Sequence, residues 1–65
     1  MSFELYETVK VLEDDLNEGI KKGDTGTIIM VYDIPNEAYE VEFVDEKGRV
    51  RCQGVYLSNQ ISKLK

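Results

Sequence analysis

The sequence contains no histidine and no tryptophan, and it has one cysteine, Cys52, and one proline, Pro35, in 65 residues. Without histidine, no Ser-His or Cys-His nucleophile pair can be built. With one thiol and no imidazole, a zinc site of Cys and His ligands is excluded. A lone cysteine also rules out an intramolecular disulfide, as expected of a reducing compartment. Long hydrophobic runs are missing: none approaches the ~20 residues that a spanning helix needs. The opening "MSFELYETVK" has no basic segment followed by an apolar one, so no secretory signal is read there and a cytoplasmic protein is expected.

Positive charge is also scarce. Eight Lys and Arg residues face 13 Asp and Glu, a net of −5. Such a surface repels phosphate backbones and lipid headgroups and favours basic partners. The expectation is therefore a protein partner, with neither nucleic acid nor membrane. The charge is unevenly ordered along the chain. Residues 1–46 hold all 13 acids with Lys10, Lys21 and Lys22, while residues 47–65 hold Lys47, Arg49, Arg51, Lys63, Lys65 and no acid. Either strand pairing apposes these opposite charges, or an acidic face stays one-sided.

What is present is a globular balance, 42% hydrophobic and 32% charged. A chain this short forms one domain, residues 1–65, with a thin core. "LYETVKVL" (5–12) reads as a first strand, with Val9 and Val11 on one face. "EDDLNEGIKKGDTG" (13–26) reads as a long loop with Leu16 and Ile20 tucked beneath it, since Gly19 and Gly23 oppose a helix. "TIIMVYD" (27–33) is apolar on both faces and predicts a strand covered on both sides for part of its length. "IPNE" is a turn. "AYEVEFVD" (38–45) alternates, with Tyr39, Val41 and Phe43 inward and Glu40 and Glu42 outward. "DEKG" is a hairpin turn in which Gly48 supplies positive φ. "RVRCQGVYL" (49–57) alternates again, with Val50 and Cys52 inward and a bulge or bend expected at Gly54. "SNQ" (58–60) fits one 3₁₀ turn. "ISKLK" closes the chain as a short strand with Ile61 and Leu64 toward the core.

Five short strands, a long loop after the first and a 3₁₀ turn before the last predict an all-β, five-stranded, SH3-like barrel. In "KKGDTGTII", Gly26 suits a close backbone approach and Asp24 can accept from amides of its own turn. The same basic-Gly-Asp-x-Gly pattern resembles the loop of KOW modules, which helps those modules to hold RNA. The likeness covers fewer than ten residues and lacks the cationic surface of an RNA binder.

A longer resemblance runs through Leu5-Tyr6, Val9, Glu13-Asp14, Gly19-Ile20, Lys22-Gly23-Asp24, Gly26-Thr27-Ile28, Val31-Tyr32 and "EAYEVEFVDEKG". These positions resemble the small bacterial proteins of domain-of-unknown-function family 4926. The resemblance implies an SH3-like barrel standing alone. Genes of this family often resemble the partner half of toxin–antidote pairs, which suggests an inhibitor.

No chemistry is legible in the residues. "EDDLNE" lacks the spacing of a calcium loop. No carboxylate pair sits among apolar residues in a way that would raise one pKa for acid–base work. Cys52 is in phase with Val50 and reads as a small hydrophobe. Tyr6, Tyr32, Tyr39 and Tyr56 could line a groove for proline-rich peptides, although Tyr39 is phased with the core. The expectation is a non-enzyme without cofactor or metal. The candidate partner-binding residues are Asp14, Asp15 and Glu18 on the loop, with Glu37, Glu40 and Glu42 on the third strand. If they meet on one face, they could steer and occlude a basic toxin such as a nuclease, as an immunity protein or antitoxin does. The bland alternative is a surface that keeps the protein soluble. From another class come a KOW-like RNA- or ribosome-associated accessory and a small structural subunit.

Overall fold

The computed structural model describes residues 2–64. Five strands form one antiparallel sheet: β1 (Thr8–Val11), β2 (Thr25–Tyr32), β3 (Ala38–Val44), β4 (Val50–Leu57) and β5 (Ile61–Lys63), with a 3₁₀ turn at Ser58–Gln60. The order across the sheet is β4-β3-β2-β1-β5. This is the SH3-like arrangement, and the sheet is not closed: β4 and β5 are its two edges.

One face of the curved sheet carries the core. Val9 and Val11 from β1, Ile28 from β2, Tyr39, Val41 and Phe43 from β3, Tyr56 from β4 and Ile61 from β5 are all buried, with Phe3 and Ile20 closing the ends. Alternation in β3 places its three large side chains inward as expected. Phe3 packs edge-on against Tyr39 at 5.3 Å, and Phe43 against Tyr56 at 6.0 Å. Burial of such a side chain contributes about 1.5–3 kcal/mol, so a core of this size rests on few contacts.

The glycine turn before β2 behaves as its sequence requires. Gly23 has φ +92°, and Asp24 Oδ2 accepts from the Lys21 amide at 3.0 Å. Gly26 lies under β3, where a Cβ would stand 2.6 Å from Val41 Cγ1 and 2.9 Å from the Glu42 carbonyl oxygen. The Asp45–Gly48 hairpin is likewise as expected. Gly48 has φ +81°, and Asp45 Oδ1 accepts from the amides of Lys47 and Arg49.

Several strand details depart from the expectation. The first strand is confined to Thr8–Val11, because Tyr6 takes φ +69° and turns the chain before it. β2 is buried or half-buried on both faces from Gly26 to Ile29, as expected for part of its length, but not beyond. Its register against β3 shifts between Ile28 and Met30, so Ile28 pairs with Val41 while Val31, three residues on, pairs with Tyr39. Such a bulge re-aims every later side chain. It sends Val31 to the core and leaves Met30 and Tyr32 exposed on the outer face. In β4 a second shift places Val50 opposite Val44 and Cys52 opposite Phe43. Val50 is therefore outward and 56% exposed, while Cys52 packs against the core. No bulge occurs at Gly54, which pairs in step with Val41 and carries the Tyr56 ring against it.

The long loop folds back on itself through a two-way backbone pairing of Asp15 with Ile20 and a positive φ at Gly19. This tucks Ile20 fully under the sheet but puts Leu16 at the tip of the turn, 84% exposed. Leu64 is exposed as well, since it lies beyond the end of β5.

Candidate functional site

The six carboxylates singled out in the sequence do not form one contiguous face. On β3, Glu40 pairs with Met30 and Val55, and Glu42 pairs with Thr27 and Gln53, all on the outer face of the sheet. Glu40 Oε1 accepts from Tyr32 Oη at 2.8 Å, and Glu42 Oε2 accepts from Gln53 Nε2 at 3.4 Å. The loop carboxylates lie on the other side. Asp15 Oδ2 accepts from Tyr56 Oη at 3.1 Å, and the Glu18 carbonyl accepts from Cys52 Sγ at 3.9 Å. Tyr56 and Cys52 share the core-facing side of β4 with its partners Tyr39 and Phe43. The sheet therefore stands between Asp15 and Glu18 on one side and Glu40 and Glu42 on the other.

Two of the six also have local structural roles. Asp14 Oδ1 accepts from the Lys22 amide at 2.7 Å and braces the glycine turn. Glu37 precedes β3. It accepts from the Ser2 amide at 2.9 Å and from Tyr39 Oη, so it anchors the N-terminal segment and does not continue the Glu40–Glu42 row. The Ser2 amide, with the Tyr39 hydroxyl second, holds the Glu37 carboxyl below the usual carboxylate range.

Charge is only partly compensated by strand pairing. Arg49 pairs with Asp45 at 3.2 Å, Arg51 with Asp24 at 3.8 Å and Lys63 with Glu7 at 3.8 Å. Arg51 is drawn further toward the loop by donating to the Gly19 carbonyl at 3.0 Å. Among the described residues, Glu13, Asp14, Asp15, Glu18, Glu40 and Glu42 have no cation within ion-pair distance.

Between the loop and the 3₁₀ turn lies an open cleft of about 710 Å³. Glu13, Asp14 and Asp15 line one wall, Asn59 and Gln60 the other, and Val11 and Tyr56 lie between them. Glu13 was not among the sequence-predicted site residues. Its place beside Asp14 and Asp15 was readable, but the wall opposite it depended on where the 3₁₀ turn packs. Burial first, and the Asp15 carboxylate second, push the Tyr56 hydroxyl up to about 12. Burial and the charge of Glu18 raise the Cys52 thiol, so this sulfur is protonated at neutral pH and is a poor nucleophile.

The four tyrosines do not line one groove. Tyr39 and Tyr56 are core residues, Tyr32 lies on the outer face, and Tyr6 sits on the turn before β1. Among the described residues, no group of three Cys, Asp or Glu side chains is arranged to hold a metal ion, and no helix is long and apolar enough to cross a membrane. Four successive amides of the KOW-like loop are engaged within the chain and are not offered to a phosphate. Those of Lys21, Lys22, Gly23 and Asp24 donate to Asp24 Oδ2, Asp14 Oδ1, the Val11 carbonyl and the Lys21 carbonyl.

The fold and these surfaces define a small, all-β, SH3-like domain with uncompensated carboxylates on both sides of an edge strand. The chain belongs to the family described as Domain of unknown function (DUF4926), whose model matches residues 5–61. No curated protein and no solved structure matches the chain.

Proposed function

We propose that this domain is a protein-binding inhibitor that captures a cationic partner, such as a nuclease toxin, and neutralises it by occlusion. One observation carries the reading: among the described residues, Arg49, Arg51 and Lys63 pair with Asp45, Asp24 and Glu7, while the carboxylates beside the cleft and on the outer face of β3 have no cation within ion-pair distance. Uncompensated charge of one sign speeds encounter with a partner of the other and selects against acidic competitors. The KOW-like alternative has less support, because four amides of the loop it would use already donate to two carboxylates, a β1 carbonyl and the Lys21 carbonyl.

The test is capture on the immobilised protein from the native cell, followed by titration of the captured protein's activity. Loss of that activity at one-to-one stoichiometry, weakened by added salt, is the expected result. Retention of ribosomal RNA in place of a basic protein would favour the KOW-like reading.

A further inference from the structure

The two carboxylate groups lie on opposite faces of the sheet, yet both border the same strand. β4 is the last strand on its side of the sheet, eight residues long, from Val50 to Leu57. Among the described residues, its outer edge makes no backbone hydrogen bond to another segment. Among the described residues, its one amide bond to a side chain is from Leu57 to Gln60 Oε1, at the very end. Exposed edges of this length are usually blunted by proline, by charge or by a bulge in mid-strand. β4 has no proline. Its one charged side chain, Arg51, is turned away to Asp24 and Gly19, and its one register shift lies at the hairpin end, leaving Cys52–Leu57 regular.

We propose that the free edge of β4 is a strand-addition site for an extended segment of a protein partner bearing lysine or arginine on both of its faces. This deepens the inhibitor reading and rests on it. A strand added to β4 would send alternate side chains to opposite faces. On the outer face it would lie about two strand spacings, roughly 9.5 Å, from Glu40 and Glu42 across Val55 and Gln53. A lysine or arginine and a glutamate together span that gap. On the other face it would meet the loop that carries Asp15 and Glu18, which already touches Tyr56 and Cys52. Val55, 60% exposed, offers apolar contact between the charges. A second copy of this chain fits less well, because its β4 brings only Arg51, which is already paired.

The probe is a ten-residue peptide of paired lysines alternating with paired valines, so that both faces carry each residue type. Three forms are compared against the full chain: the parent peptide, the same peptide N-methylated at alternate amides, and a version with glutamate for lysine. The expected result is binding of the parent, loss of at least about tenfold in affinity on N-methylation, no binding of the glutamate form, and slowed amide hydrogen exchange at alternate β4 residues. Glu42→Lys and Glu18→Lys should each weaken the parent peptide, from opposite faces. Equal binding of the methylated form would overturn edge addition while leaving a cationic-partner surface intact. Binding of the glutamate form, or of no form, would overturn both the edge and the charge argument beneath it. Self-association through β4, seen by sedimentation, would replace the proposed occupant with a second copy.

Discussion

Gly26→Ala should destabilise this domain severely, although it adds one methyl group. A Cβ at this position would stand 2.6 Å from Val41 Cγ1, 2.9 Å from the Glu42 carbonyl oxygen and 3.0 Å from Phe43 Cδ1. Non-bonded carbons are comfortable at about 3.5–4.0 Å, so the first of these contacts is short by roughly 1 Å. None of the three neighbours yields easily. Val41 is β-branched and fully buried, Phe43 is wedged against Tyr56, and the oxygen belongs to the backbone of β3. The strands would have to part. Overpacking of this kind costs about 1–3 kcal/mol, and a backbone obstacle argues for the upper end. The smaller entropy of an unfolded alanine returns about 0.4–1 kcal/mol. A net loss of about 2 kcal/mol corresponds to a fall in Tm of roughly 8–16 °C for a domain of this size. Gly54→Ala is the control, since its Cβ would meet only the edge of the Tyr56 ring, at 3.2 Å, and the ring can shift by a few tenths of an ångström. Thermal and urea melts followed by circular dichroism would measure both. A Gly26→Ala Tm within about 3 °C of the parent, or a Gly54→Ala variant that loses more, would refute the close approach of β2 and β3 at this point.

Phe43→Ala removes a side chain that is 1% exposed and should cost about 3–5 kcal/mol, read by urea denaturation; the small domain has little more stability than that. Tyr56 has its hydroxyl raised to about 12 in the fold, against 10 in an unfolded chain, so the neutral form is favoured by folding. That stability is fully present below pH 10 and is lost as pH rises toward 12, and Tyr56→Phe should flatten the alkaline limb of a stability–pH profile. Asp45→Asn should loosen the β3–β4 hairpin and lower the Tm slightly, read by thermal melts, since its carboxylate accepts from two turn amides and from Arg49 Nε. The paired change Glu40→Lys and Glu42→Lys should leave the melting curve nearly unmoved and slow association with a cationic partner, measured by surface binding kinetics.

Much of the fold was legible because alternation is a local signal. Tyr39, Val41 and Phe43 declared their face by spacing alone, and Gly23, Asp24 and Gly48 declared their turns by conformational need. The errors fall where one residue was added to a strand. The bulge after Ile28 broke alternation, so that Val31 and not Met30 follows Ile28 to the core, and the shift near Arg51 turned Val50 outward. A bulge depends on how two strands meet, and nothing in either strand taken alone announces it. Leu16 was misplaced for a related reason. The loop was expected to tuck both Leu16 and Ile20 beneath it, but the chain reversed through the Asp15–Ile20 pairing and left only Ile20 beneath the sheet. The candidate site was less legible than the core. Each acidic residue could be named, yet whether Asp15 and Glu40 shared a face depended on which side of β4 the loop crossed.

That crossing gives the charge order of the sequence a spatial meaning. The acid-free segment from Lys47 onward supplies β4, and the segments before it supply the carboxylates that flank β4 on both faces. Had the basic side chains of this segment all pointed at those acids, the surface would be neutral at short range. Instead Arg49 pairs within its own hairpin, Arg51 reaches the glycine turn, and Lys63 reaches Glu7 from β5. Beyond Arg51, the exposed residues of β4 are Gln53, Val55 and Leu57, none of which can neutralise a carboxylate. Exposed ion pairs add only about 0–1 kcal/mol each, so closer matching would have stabilised the fold little. A cationic strand added at this edge would gain the attraction of both flanking groups together with main-chain hydrogen bonds, whereas a cationic surface docking on either face alone would gain one group and no backbone pairing. The β4 edge thus lies where carboxylates from both faces would act together on one added cationic strand.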